Sequence, residues 1–261
     1  MYSQQIIRPR WEDRLIVEES ISRYWTAVGV EVHYSTEKTQ VFSGIKHPYF
    51  NGIIRSVMPL RVAVKRVRDL ISQFDDRKLP FRWLVNKSSL PGNLKKILTE
   101  QGMRHHGTFT GLIHYPESFI GDVENHQGYR LVVVTNSDMM LIWSQHLADA
   151  IGISVSEGKS FAKFFAESKF GDFQHFMVFH GEECVAVATL YYNETASTIH
   201  NLTVKEGFRG KGVAALTVRF LLSHIYKYSA KKVVHFSPKQ TVNDFIEMGF
   251  DPVTEIEIFE K

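Results

Sequence analysis

The residues in this 261-residue chain whose types and spacing could do chemistry are Arg209-Gly210-Lys211-Gly212, set between Leu202-Thr203-Val204 and a helical pattern that opens at Val213-Ala214. A strand that turns sharply into a helix leaves the first four helical N–H groups without intrahelical partners, at the positive end of the helix dipole. Such a helix start is an anion site made of backbone. Gly210 and Gly212 carry no Cβ to keep a phosphate at a distance, and Arg209 and Lys211 add positive charge at the mouth. Val213, Leu216, Phe220 and Leu221 recur at helical spacing, so the helix behind the loop has one face to bury. The Walker spacing and the three-glycine dinucleotide fingerprint both fail at this position.

A loop of this kind needs a sheet and a helical layer to hold it, and the C-terminal half supplies both. Strands are predicted from Tyr129 to Val134, Gln174 to Phe179, Glu183 to Tyr192 and Thr198 to Val204, with turns at His180-Gly181 and Asn193-Glu194. Helical stretches are expected from about Asp138 to Ala150 and from about Gly158 to Ala166. Beyond the loop helix come a strand from Lys232 to Phe236, a helix around Lys239 to Met248 and a strand from Thr254 to Phe259. An antiparallel meander that feeds a parallel pair through a crossover helix predicts the α+β class, with a mixed, mostly antiparallel sheet flanked by helices.

The N-terminal half echoes this plan, with a strand near Val28 to His33, one near Ile53, a helix from Leu60 to Phe74 and a strand from Phe81 to Val85. Its ending repeats most visibly: Trp83 to Gly102 and Val234 to Phe250 both run strand, Ser- and Pro-containing helix start, short apolar helix, glycine. Where this half would need its own phosphate loop it has Arg55-Ser56-Val57-Met58-Pro59, without glycine. Phe50-Asn51-Gly52 reads either as the edge of a pocket or as a plain turn.

The loop resembles the phosphate-binding motif of the GNAT superfamily of acyl-CoA-dependent N-acyltransferases, in which Arg or Gln is followed by two residues, Gly, one residue, then Gly or Ala. Arg209, Gly212 and Ala214 match, and Val204 stands where the family usually ends its strand with Val or Thr. The resemblance implies two GNAT-like halves in tandem: residues 1–118 a degenerate domain without the family's cofactor site, and residues 128–261 the acyl-CoA-binding domain, joined around Pro116 to Gln127. It implies acetyl-CoA as the default co-substrate. The pyrophosphate would lie on the amides of Arg209, Gly210, Lys211, Gly212, Val213 and Ala214, and the pantetheine along Leu202, Thr203 and Val204, as an added strand.

For such chemistry an amine must lose a proton. His200, four residues before Val204 and by alternation on the face of Leu202 and Val204, is the expected base, with Glu183, Tyr191 and Tyr192 in reserve. Many family members place a tyrosine four residues before the closing Gly-Phe, to protonate the departing thiolate; here that residue is Phe245. Ser237 is expected to take the role of the family's asparagine before this helix, with Asn243 on the helix surface. The acceptor implied is a small or amino-acid-like primary amine. A protein that binds CoA without turnover is the alternative.

Composition narrows the rest. A net charge of +3 and a basic run, Lys65, Arg66 and Arg68, without interleaved aromatics argue against nucleic acid. The start from Met1 to Arg14 lacks an apolar leader, and no apolar run approaches about 20 residues, so neither secretion nor a membrane is expected and the cytoplasm is. The single cysteine, Cys184, sits in an apolar strand and reads as a buried inert thiol, and the twelve histidines lack metal-ligand spacing, so no metal is expected.

Overall fold

A computed structural model describes residues 11–119, 125–126, 128–154, 156–160, 163, 172–229 and 231–261. The polar start before Trp11, part of the linker after Pro116 and part of the helix expected from Gly158 lie outside the described residues; 156–160 are helical. The chain runs α1 (Trp11–Ala27), β1 (Glu31–Tyr34), β2 (Lys38–Phe42), β3 (Gly52–Ser56), α2 (Leu60–Asp76), β4 (Arg82–Val85), α3 (Leu94–Glu100) and β5 (Arg104–His114). It continues through β6 (Asn125–His126), β7 (Tyr129–Val133), α4 (Ser137–Ile151), β8 (Phe173–His180), β9 (Glu183–Tyr192) and β10 (Ala196–Val204). The last elements are α5 (Val213–Tyr228), β11 (Lys232–Pro238), α6 (Val242–Glu247) and β12 (Phe250–Glu260). This is the expected α+β architecture.

All twelve strands form one sheet in the order β1-β2-β3-β4-β12-β5-β11-β10-β9-β8-β7-β6. Two units repeat within it. β3 and β4 run parallel across α2, as β10 and β11 do across α5, and each unit then passes through a short helix into a long final strand. The glycines noted in the sequence close those helices in the same conformation, Gly102 at φ +88° and Gly249 at φ +90°. The final strands trade places. β12, from the C-terminal half, pairs with β4, and β5, from the N-terminal half, pairs with β11; the two meet along the middle from Phe250 opposite His114 to Glu260 opposite Arg104.

Each face of the sheet carries its own helices. On one, α1 and α4 bring Tyr24, Trp25, Trp143 and Leu147 onto Leu84, Ile256 and Ile258. On the other, α2 and α3 bury Ala63, Val67, Phe74, Leu94 and Leu98 against Ile53, Trp83 and Phe259, while α5 and α6 bury Val218, Leu221 and Phe245 against Leu112 and Ile199. Lys65, Arg66 and Arg68 form the solvated side of α2, with Arg66 3.2 Å from Glu37. No helix among the described residues is long and apolar enough to cross a membrane.

Helix α1, unexpected from sequence, crosses the seam between the halves. Asp13 is 1% exposed, yet its carboxylate accepts from Lys232 Nζ at 2.6 Å and from Tyr115 Oη at 2.8 Å, which compensates its desolvation. Val17 lies so close to β5 that a Cβ on Gly111 would stand 2.4 Å from it. Glycine is needed there for close approach.

Because β11 needs β5 and β4 needs β12, a fragment of residues 128–261 should lack a native fold, and the whole chain should unfold in urea in one transition seen alike by fluorescence and circular dichroism. Two separated transitions, or a folded fragment, would contradict this. Burial also pushes His114 and His235 down to about 4 and His175 to about 3. The unfolded chain therefore takes up these protons first: stability is full above pH 6.5 and falls as pH drops toward 4. At pH 5 each histidine should remove about 2 kcal/mol, lowering the melting temperature by roughly 10 °C in total.

Candidate functional site

The parallel pair β10–β11 holds register only from Ala196 opposite Lys232 to Ile199 opposite His235. Beyond that point the strands diverge while β10 runs on to Val204 and β11 to Pro238, leaving a wedge in the middle of the sheet. The divergence begins at a bulge. Between His200, opposite Thr189, and Thr203, opposite Val187, β10 has two residues where β9 has one. Asn201 absorbs the extra length at φ +52°, a left-handed conformation that asparagine tolerates better than most residues.

Side chains from distant elements hold this bulge. Asn201 Nδ2 donates to Tyr24 Oη at 2.9 Å and to Thr189 Oγ1 at 3.0 Å, and its Oδ1 accepts from Tyr49 Oη at 2.9 Å. His175 Nδ1 meets the same Thr189 hydroxyl at 2.9 Å, and the indole of Trp143 donates to Ala188 O, opposite the extra residue. Tyr24 comes from α1, and Tyr49 from a loop held by buried Asn51, whose amide donates to Ile45 O at 2.7 Å and accepts from Ser43 N at 2.9 Å. Asn51 thus holds the loop that places Tyr49 on the cleft wall, while Phe50, Asn51 and Gly52 do not line that cleft themselves.

The bulge also corrects the alternation read from sequence. Leu202 and Val204 pack toward α5, whereas His200 projects to the opposite face, where its ring stacks on Tyr24 at 3.5 Å between centroids. Burial, and secondarily His235, hold His200 well below the ordinary histidine pKa, so it is neutral near pH 7. Its Nε2 is buried without a hydrogen-bond partner among the described residues.

At the end of β10 the loop turns as its glycines require, Gly210 at φ +72° and Gly212 at φ +76°. A Cβ on either would meet nothing of the protein within 4 Å. The glycines thus serve the turn and leave the space before the amides open. Arg209 Nε donates to Val204 O at 3.1 Å, tying the loop back to the strand. Val213 buries its side chain, and the first helical bond of α5 runs from Leu216 N to Gly212 O. The amides from Gly210 to Ala215 have no hydrogen-bond partner among the described residues.

A cleft of about 540 Å³ joins these parts. It starts at Ala214, Ala215, Val204, Thr203 and Leu202, passes His200, Asn201 and Phe245, and ends among Trp25, Leu84, Phe109, Ile258 and Arg82 of the exchanged region. Three expected residues lie elsewhere: Glu183 pairs with Lys205 at 2.6 Å, Tyr191 packs on Tyr24 and Phe173, and Tyr192 donates to Gln174. Ser237 is fully buried; its hydroxyl meets Thr241 Oγ1 at 2.8 Å, and Thr241 is the one on the cleft wall. Phe245 packs on His235 at 4.4 Å and offers no proton. Cys184 is also apart, its thiol pushed up to about 11 by burial.

The corresponding wedge of the N-terminal half is filled. Between β3 and β4, Trp83 Nε1 donates to Ser56 Oγ at 2.7 Å in a fully buried setting. At the start of α2 the amides of Val57 and Met58 are taken by Glu37 O and Leu90 O, and Pro59 has none to offer. One wedge is open and one is sealed.

The splayed strand pair, glycine turn and helix start of the C-terminal half are those of a GNAT fold, and the N-terminal half repeats its order of strands and helices without the open wedge. Residues 143–250 match the Acetyltransferase (GNAT) family; the C-terminal half carries a GNAT domain. The whole fold is similar to a GCN5-related N-acetyltransferase from Kribbella flavida (TM-score 0.69, 11% identity, 94% of this chain and 95% of that one). It is similar also to a tandem GNAT protein from the clavulanic acid biosynthesis pathway (TM-score 0.61, 12% identity, 98% and 90%). A conserved protein of unknown function from Staphylococcus epidermidis shares the fold at TM-score 0.67 and 9% identity, over 89% and 94%. No curated protein sequence matches the chain.

Asn201 can be tested without any ligand. Asn201→Ala removes three side-chain bonds and places a Cβ residue without a polar handle at positive φ, and should destabilise the protein by about 2–4 kcal/mol in urea titration. Asn201→Gly relieves the backbone strain and should recover about 1 kcal/mol of this. Equal stabilities for the two variants would show that the bulge conformation does not depend on residue 201.

Proposed function

We propose that the protein transfers an acyl group, by default acetyl, from acyl-CoA to a primary amine of a small, amino-acid-like molecule. The observation that carries this reading is the open wedge between β10 and β11, leading from the amides of residues 210–215, which have no hydrogen-bond partner among the described residues, into a half-open, mostly apolar cleft. The residues present fit the co-substrate. The loop amides and Arg209 and Lys211 suit a pyrophosphate, and the exposed edges of Leu202, Thr203 and Val204 suit the pantetheine amides. Residues 128–261 with inserted β5 would form the acyl-CoA domain, and residues 1–118 with β12 the half that roofs the acceptor.

Acyl-CoA supplies a thioester whose carbon is open to nucleophiles. The chain's contribution is position: the cleft directs the amine toward the wedge, where the new C–N bond forms as the C–S bond breaks. The amine proton goes to His200, which is uncharged at neutral pH; because burial lowers its basicity, it takes the proton only as the forming C–N bond makes the nitrogen acidic. The thiolate leaves without a tyrosine beside it and takes its proton from water, which a thiol pKa of about 8.5 permits.

Phe245 and the shielded Nε2 of His200 favour one second reading, a protein that binds CoA without turnover; steady acetyl-CoA consumption in the presence of an amine excludes it.

Calorimetry with acetyl-CoA tests the site. Gly212→Asp should weaken binding about tenfold or more, while Gly212→Asn, similar in shape and tolerant of positive φ, should keep most of it. Undiminished binding by the aspartate variant would remove the loop from the cofactor site. His200→Ala should lower kcat by about a hundredfold with little change in acetyl-CoA affinity, and the wild-type profile should show no inflection near pH 6.5. An unchanged kcat would reject its role as base.

A further inference from the structure

Resting on the acyltransferase reading, the chemistry of the far end of the cleft identifies its acceptor more closely. We propose that Arg82 binds a carboxylate on the acceptor, so that the substrate is an elongated ω-amino acid: anionic at one end, apolar in the middle, with the reacting amine at the other.

Arg82 opens β4 in the N-terminal half, beyond the seam, yet it stands on the wall of the cleft that contains His200. Its side chain is only 13% exposed. Nε donates to Glu260 Oε1 at 2.5 Å and the guanidinium lies over the Tyr49 ring at 5.3 Å, which fixes its plane. Nη1 and Nη2 make no hydrogen bond among the described residues. A guanidinium oriented through Nε with both terminal nitrogens available is a fork for the two oxygens of a carboxylate.

The rest of the wall selects for shape. From Arg82 toward the wedge the cleft is lined mostly by Leu84, Trp25, Ile258, Ile256, Phe109 and Phe236, while the polar groups of Tyr24, Tyr49 and Asn201 on the same wall are bonded to one another. Asp244, the other charged residue on the wall, belongs to α6 at the wedge end, where it suits an incoming ammonium rather than a carboxylate. β4 stands three strands from β11, which puts about 14 Å of sheet between Arg82's strand and the wedge. A short amino acid bonded to Arg82 would leave its amine far from the thioester.

The test is titration of the CoA-saturated protein with 4-aminobutanoate, 6-aminohexanoate and 8-aminooctanoate, each beside the alkylamine of the same length. Wild type should bind the best amino acid about tenfold more tightly than its alkylamine. Arg82→Gln should erase that factor, leaving alkylamine affinity and acetyl-CoA affinity unchanged, and Arg82→Lys should restore part of it. Equal binding of acids and amines, equal loss of both in Arg82→Gln, or no binding of any of the three acids would overturn the proposal. Loss of acetyl-CoA binding in the wild type would instead overturn the acyltransferase reading, while acid discrimination by the free protein would still stand or fall on Arg82.

Discussion

Everything distinctive about this molecule depends on the antiparallel pairing of β5 with β12 at the centre of its sheet. Had each half kept its own last strand beside its own parallel pair, the two would abut at a surface, and the open wedge would face residues of one half. Because the strands trade places, the halves share hydrogen bonds from Arg104 to His114 and from Phe250 to Glu260. Arg82, Leu84 and Tyr49 are thereby carried to within reach of a cleft that opens in the other half. Helix α1 fastens the arrangement, with Asp13 neutralised by Lys232 and its Tyr24 laid on His200.

The same supersecondary plan gives two outcomes because a few residues differ at the point where parallel strands part. In the C-terminal half a bulged asparagine and two left-handed glycines leave strand edges and helix amides without partners among the described residues. In the N-terminal half a buried indole fills the gap and bonds Ser56, a proline removes one amide, and carbonyls of Glu37 and Leu90 occupy the two before it. Unsatisfied backbone is expensive to bury, so a wedge of this kind is either filled by the protein or kept for something that enters. The architecture permits both, and residue identity decides.

What the sequence makes legible follows the range of the interactions concerned. The loop, the meander and the paired glycines at 102 and 249 are local patterns, and they stand where alternation and helical spacing put them. Helix α1 escapes because its inward face is mixed: Asp13 and Glu18 are buried next to Val17, and only partners in distant strands make that tolerable. The bulge escapes for a similar reason. Asn201 is a local hint of positive φ, but the tyrosines that hold it are in the other half, and simple alternation places His200 on the wrong side. Strand exchange leaves no sequence signature, since β5 and β12 would look the same beside either partner.

The exchange also dictates an order of events during synthesis. β4 and β5 emerge early, yet the strand that separates them in the finished sheet follows β11 and α6 in the chain. Until it arrives, the N-terminal half has two strand edges exposed with their shared neighbour still unmade, and β11 must find a partner translated long before it. Closing the sheet is therefore a late, long-range step, and the interval before it is when this chain is most exposed to pairing with the wrong edge.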